Sequence, residues 1–330
     1  MRIETSSRRA GELVEHAMAD LELYRRVKRP DRLNRAIAQL DQARKEDPEY
    51  LLARYGRAIA DDLSGRAANA ITELEQVFAA KPPFVDDVEY HLGMAHYHRY
   101  DWADLDKAIE HLSAVAARTG DPVLKCRSLV ALAQAFGMRM IPRDPRDADL
   151  EEIKHHFDLH TEHADSAANL LKSLTQTDPV TIKELKSALH NARGFALMYW
   201  TDFFGTVNQK IALLKEAVLE LQLADKSNPN DWAIHCDIGS AWMRLGYWEK
   251  SNSAMEKTRM YLTKVLKDLR ANYGFALYEL GRSYRLSGRF EEAIACFEEA
   301  LKIPYESRDV SDRRLLIEKD RARAGAKDYP

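Results

Sequence analysis

Residues 280–304 read LGRSYRLSGRFEEAIACFEEALKIP, and with Leu277 just ahead of them they decide the fold. Leu277, Leu280, Gly281 and Tyr284 stand at i, i+3, i+4 and i+7, one stripe of a helix. Gly288 in LSGRF turns the chain. Phe290, Ala293, Ile294, Phe297, Ala300 and Leu301 then form the stripe of a second helix, which Pro304 stops. Small residues at 281, 293 and 300 serve packing. Where two antiparallel helices cross closely, a position with little or no side chain lets the backbones approach and leaves a hole for a large neighbour.

The pattern recurs. Ile238, Gly239 and Trp242 precede Gly246, and Trp248, Ser251, Met255 and Thr258 follow it. Ala36, Leu40, Ala43 and Pro48 have the second-helix spacing. Leu52, Tyr55, Gly56 and Ile59 lead to Ala70, Leu74, Val77 and Pro82, and Leu92, Gly93 and His96 lead to Ala108, Leu112 and Val115, both across longer turns. The middle is looser: Leu129, Leu132, Ala133 and Phe136 find their partner stripe, Ala167, Leu171, Leu174 and Pro179, only after a long insertion. Phe195, Ala196 and Tyr199 pair with Ala217, Leu221, Ala224 and Pro229.

The unit resembles the tetratricopeptide repeat, a helix–turn–helix of about 34 residues with a W-x₂-L-G-x₂-Y … A-x₃-F … P pattern. Leu277, Leu280, Gly281, Tyr284, Ala293, Phe297, Ala300 and Pro304 carry the match, with Leu in place of Trp and the proline one residue early. The resemblance covers residues 10 to 304 in about seven units of uneven quality. It implies an all-α fold, a right-handed solenoid of stacked antiparallel helix pairs. The expected organisation is an array over 1–304, with an irregular insertion at 137–163, followed by a capping helix and tail over 305–330. In that tail Val310 and Leu315 to Ile317 stand within dense charge, as the closing helix of an array requires.

Size and composition agree. The chain has 330 residues, 45% hydrophobic and 31% charged, with only 14 Gly and 11 Pro, which suits helices joined by short turns. A net charge of −3 provides no global field for nucleic acid or membrane. Cys126, Cys236 and Cys296 are far apart and odd in number, so a disulfide framework is not expected. The N-terminal stretch lacks the apolar core of a secretory signal, and no apolar run approaches the ~20 residues that cross a bilayer. The expectation is a cytoplasmic protein without membrane contact.

Catalytic motifs are missing. The sequence has no phosphate-binding loop, no dinucleotide fingerprint, no nucleophile elbow, no H-E-x-x-H and no C-x-x-C pair. The chain is therefore read as no enzyme, and no cofactor is expected. EEIKHHFDLHTEH holds His155, His156, His160 and His163. On a helix Glu152, His156, His160 and His163 project to one side, and imidazoles at i and i+4 can share a metal. His160 also falls within the apolar stripe of Ile153, Phe157, Ala164 and Leu171, which makes it a packing residue, and no metal is assigned. His96 occupies the core tyrosine slot of its repeat, while His91 and His98 are left for a binding surface. Two basic runs, YRRVKRPDRLNR from Tyr24 and the Arg139, Arg143, Arg146 group, lack interleaved aromatics and read as solvated loops, so nucleic acid is not expected.

The resemblance places partners along the concave side of the superhelix, lined by first helices. By matching positions, the inward residues are Arg54, Arg57, Tyr90, Met94, Tyr97, His98, Arg244, Tyr278, Arg282 and Arg285. Arg and Tyr are favoured interface anchors, and the face is mildly basic, which suits an acidic or phosphorylated segment or a chain carboxylate. The Lys/Asn clamp of chaperone-tail binders is not recognisable. The reading is a scaffold or adaptor that binds a protein or peptide; self-association stays open. The alternative is a ligand- or metal-responsive regulator in which the His-rich insertion controls a partner surface.

Overall fold

The structure, a computed structural model, describes residues 4–99, 102–142, 148–271, 273–304 and 310–328. Among these the regular elements are helices. The chain divides into two compact units, Met1–Arg139 with Asp158–Leu185, and Met140–Phe157 with Lys186–Pro330. Two long helices, α8 (Leu150–Ser173) and α9 (Pro179–Phe203), contribute residues to both.

Unit 1 is built from α1 (Arg8–Val27), α2 (Pro30–Glu46), α3 (Leu51–Leu63), α4 (Ala67–Ala79), α5 (Val85–His98), α6 (Trp102–Arg118) and α7 (Pro122–Arg139). Each element packs on the next in the chain. Unit 2 holds α10 (Val207–Ser227), α11 (Trp232–Glu249), α12 (Asn252–Lys264), a π-helical turn (Val265–Leu269), α13 (Gly274–Leu286), α14 (Phe290–Lys302) and α15 (Asp312–Arg323), which packs on α14. None of these helices is long and apolar enough to cross a membrane among the described residues.

The stripes read from the sequence are the core. Leu40, Leu74, Leu112, Leu221 and Phe297 are completely buried, as are the alanines that flank them. Burial of each such side chain is worth roughly 1.5–3 kcal/mol. The glycines explain how the pairs approach. A Cβ on Gly281 would lie 2.5 Å from a ring carbon of Phe297 in α14, and one on Gly194 would meet Leu221 at 2.6 Å and the Ala217 carbonyl oxygen at 2.9 Å. Gly93 has the same relation to Leu112 in α6. Each glycine is the hole into which the large residue of the second helix fits.

Local signals set the ends. Gly288 takes φ 77° between α13 and α14, a left-handed backbone that only glycine adopts without strain. Thr206 and Gln209 form a capping box on α10, and Ser7, Asp231, Ser251 and Ser311 cap other helices.

Gly246 is not a turn: α11 runs through it to Glu249, and Lys250 at φ 54° ends the helix. A Cβ at 246 would stand 3.1 Å from Ala254 and 3.2 Å from Met255, so this glycine serves the approach of α12. Leu262 of α12 fills the hole at Gly239. The His-rich stretch lies on α8, which begins at Leu150.

Candidate functional site

On α5, Val88, Leu92, Ala95 and His96 face the core, and this leaves Tyr90, His91, Met94, Tyr97 and His98 on the other side. The first four are half-buried and His98 is exposed. Other first helices of unit 1 bring their own groups to this face. From α1, the guanidinium Nη2 of Arg25 donates to His91 Nε2 at 3.3 Å. From α3, Tyr55 sets its ring edge against His91, and Asp62 pairs with His98 Nδ1 at 2.9 Å. Tyr90 stands edge-on to His91 with ring centroids 5.1 Å apart. From α7, the charge of Arg127 acts on both Tyr90 and His91.

The electrostatics follow from these neighbours. Burial, then the charges of Arg25 and Arg127, push His91 well below the usual histidine range, so it is neutral at pH 7 and accepts from Arg25. His98 goes the other way: burial lowers it, but the Asp62 carboxylate outweighs that and raises it. Tyr90 is pushed up by burial, against the pull of Arg127 and Arg25. Arg26, beside Arg25, is held by Glu22 at 2.8 Å and by Glu184 at 3.0 Å.

Residues 274–303 match the family model of the tetratricopeptide repeat. The chain carries a tetratricopeptide repeat. No curated protein matches the chain. Among solved structures it is similar to a thermophilic tetratricopeptide-repeat protein of Thermus thermophilus, at 16% identity over 72% of this chain and 99% of that one, with a TM-score of 0.49. It is also similar to a tetratricopeptide-repeat protein of Parabacteroides merdae, at 10% identity over 96% of this chain and 100% of that one, with a TM-score of 0.49.

Within the tetratricopeptide repeat at 274–303, the inward-facing candidates are inside the protein. Arg285 has no exposed surface: its Nε donates to Glu318 of α15 at 2.7 Å, and its Nη1 donates to the carbonyl oxygens of Ala326 and Asp328. Arg282 is buried, donates to Glu279 at 2.9 Å and lies over the buried ring of Tyr278. Arg244, 2% exposed, makes a two-pronged pair with Asp202, both contacts at 2.9 Å, and stacks on Tyr199. Next to it, Asp237 is pushed up to about 8 by burial and by Asp231, against Arg244 and a hydrogen bond with Asn191, so its carboxyl is protonated at pH 7.

The remaining candidates, Arg54 and Arg57, are half-buried and tie helices together. Arg54 donates to Glu73 at 2.6 Å and Gln76 at 2.5 Å on α4, and Arg57 to Asp41 at 2.7 Å on α2.

The histidines of α8 are placed one by one. His160 is buried, with Nδ1 2.8 Å from the Ala133 carbonyl oxygen, the contact of a packing residue. His163 stacks on Phe136, and His156 stands 3.4 Å from Glu152. Among the described residues no group of three or more His, Cys, Asp or Glu is arranged to hold a metal. Arg143 and Arg146 lie outside the described residues.

Sequence reasoning missed Arg25 and Arg127. Arg25 was counted with a solvated run, yet it continues the buried stripe of Val14, Ala17 and Leu21 by one helical step. That periodicity is the signal that points it inward.

Proposed function

We propose that the chain is a non-enzymatic interaction scaffold, and that the half-open first-helix face of unit 1 takes an acidic segment of a protein partner. The observation that carries the reading is the convergence of Arg25, His91 and Arg127 from three helices on one partly open patch of aromatic surface. Burial holds His91 neutral, and Arg25 and Arg127 add to it because each cation disfavours another positive charge there. A carboxylate or phosphate entering the patch would offset that repulsion. Tyr90, Met94 and Tyr97 supply contact area beside it, and His98 a further polar group. Arg54 and Arg57 contribute less, because Glu73, Asp41 and Asp61 already neutralise them.

The test is fluorescence anisotropy of a dye-labelled pool of Glu/Asp-rich peptides and a matched Lys-rich pool against the full chain. The acidic pool is expected to bind, and Arg25→Glu with Arg127→Glu to weaken it at least about tenfold, as the loss of charge-assisted contacts predicts. Equal binding by the double variant, or preference for the basic pool, overturns the proposal.

A further inference from the structure

The last helix carries a surface that the interaction reading leaves unused. α15 buries Leu315, Glu318 and Ala322. Its opposite side exposes Leu316 at 47% and Ile317 at 45%, the centre of an open depression lined by Arg313, Leu316, Ile317 and Asp320. These four stand at i, i+3, i+4 and i+7, so they share one face. A helix that closes an array is expected to turn a polar side to water. Two adjacent large aliphatic side chains at the middle of that side are not explained by closure.

The charges around them show which partner fits. We infer that this face pairs with the same face of a second copy of the chain, with the two α15 helices antiparallel about a two-fold axis between Leu316 and Ile317. In that register Leu316 and Ile317 of one copy meet those of the other, and Arg313 lies opposite Asp320 at both ends. Asp312 falls opposite Arg321, but Asp328 of its own chain already holds that guanidinium at 2.8 Å, so this pair adds no selectivity. The like charges that the register would oppose, Arg314 and Lys319, are turned to their own chain. Arg314 donates to the Pro142 carbonyl oxygen at 2.8 Å, and Lys319 pairs with Glu298 at 2.8 Å. A parallel pairing would set Arg313 against Arg313 and Asp320 against Asp320, so charge selects the antiparallel one. The exposed Asp320–Arg323 pair, at 3.5 Å, is exchanged at little cost. An isologous contact of this kind closes on itself and yields a dimer, not a filament.

The helix has 12 residues, about 18 Å, so the contact is at the small end of specific interfaces and the dimer is a weak one. Sedimentation equilibrium of the full chain from micromolar to millimolar concentration is expected to show a monomer–dimer equilibrium. Ile317→Asp should weaken it at least tenfold while leaving the helical spectrum unchanged, since the side chain is half exposed. Arg313→Glu and Asp320→Arg should each be monomeric, because each sets like charges together at both ends. Mixed one to one, they should form a heterodimer in which both ends are again complementary. A wild-type chain that stays monomeric at millimolar concentration, a dimer indifferent to Ile317→Asp, or a mixture that remains monomeric overturns the inference. None of these outcomes touches the unit 1 face, which is read by peptide binding.

Discussion

Helices α5 and α13 place the same kinds of position around the same packing glycine and treat them in opposite ways. Three residues before the glycine stand Tyr90 in α5 and Tyr278 in α13; one after it, Met94 and Arg282; four after it, Tyr97 and Arg285. In α5 all three are half-exposed, on a face shared with Arg25, His91 and Arg127. In α13 all three are buried. The difference lies in what surrounds each helix. Around the arginines of α13, Glu279 and Glu318 supply buried carboxylates that meet them at 2.9 and 2.7 Å. Next to α5, Arg25 stands against the neutral ring of His91 with Glu22 3.9 Å away, and the charge of Arg127 acts on Tyr90, His91 and Asp87. One arrangement satisfies its charge in close buried pairs and contributes to holding the repeat together; the other keeps its cations on a partly open face, with a carboxylate only at longer range.

The largest effect is expected from breaking the closed side. Arg285→Met leaves Glu318 buried without its partner and should cost about 3–5 kcal/mol in urea unfolding. Adding Glu318→Leu should recover most of that loss, since the pair replaced as a whole is close to neutral.

Asp237 sharpens the same contrast through pH. Its folded-state value of about 8 lies above that of an unfolded carboxyl, so the native state holds the proton longer. Stability therefore falls as pH rises from about 4 to about 8, by up to about 1.4 kcal/mol per pH unit. Urea midpoints between pH 5 and 8 measure the slope, and Asp237→Asn should flatten it.

Gly281→Ala tests the shared element instead of the difference. Forcing Phe297 out of its hole should cost about 1–3 kcal/mol. Gly93→Ala, against Leu112, should cost a similar amount in unit 1. A large disparity between the two would mean that the pairs do not share one packing rule.

The smallest changes in stability are expected on the open side. Tyr97→Ala and Arg25→Ala should shift unfolding by less than about 1 kcal/mol, as for half-exposed positions, while weakening acidic-peptide binding. That binding should strengthen as pH falls below 7, because a bound anion favours protonation of the depressed His91. His91→Gln should reduce the pH dependence without removing the binding, with His98 as the remaining titrating group of the face.

The helix pairs were legible because each stripe is local. Leu277 to Tyr284 and Phe290 to Leu301 announce two helices and their contact within 25 residues, and the glycine names the point of closest approach. Gly246 shows the limit. A glycine that turns the chain and one that admits a neighbouring helix look alike in sequence, and only the distance to Ala254 and Met255 separates them. The first-helix arginines show a deeper one. Arg282 and Glu279 are three apart and could be paired on paper, but Glu318 is 33 residues from Arg285 and Asp202 is 42 from Arg244.

The sequence by itself determined the all-helical fold, the pairing of consecutive helices and the buried stripes, because helical period and glycine sterics act within a few turns of chain. The tertiary structure alone decided which arginines are anchors of the core and which lie on a partly open face. Desolvation of a charge depends on what stands within a few ångströms of it in space, and that set of neighbours comes from helices far away in the sequence.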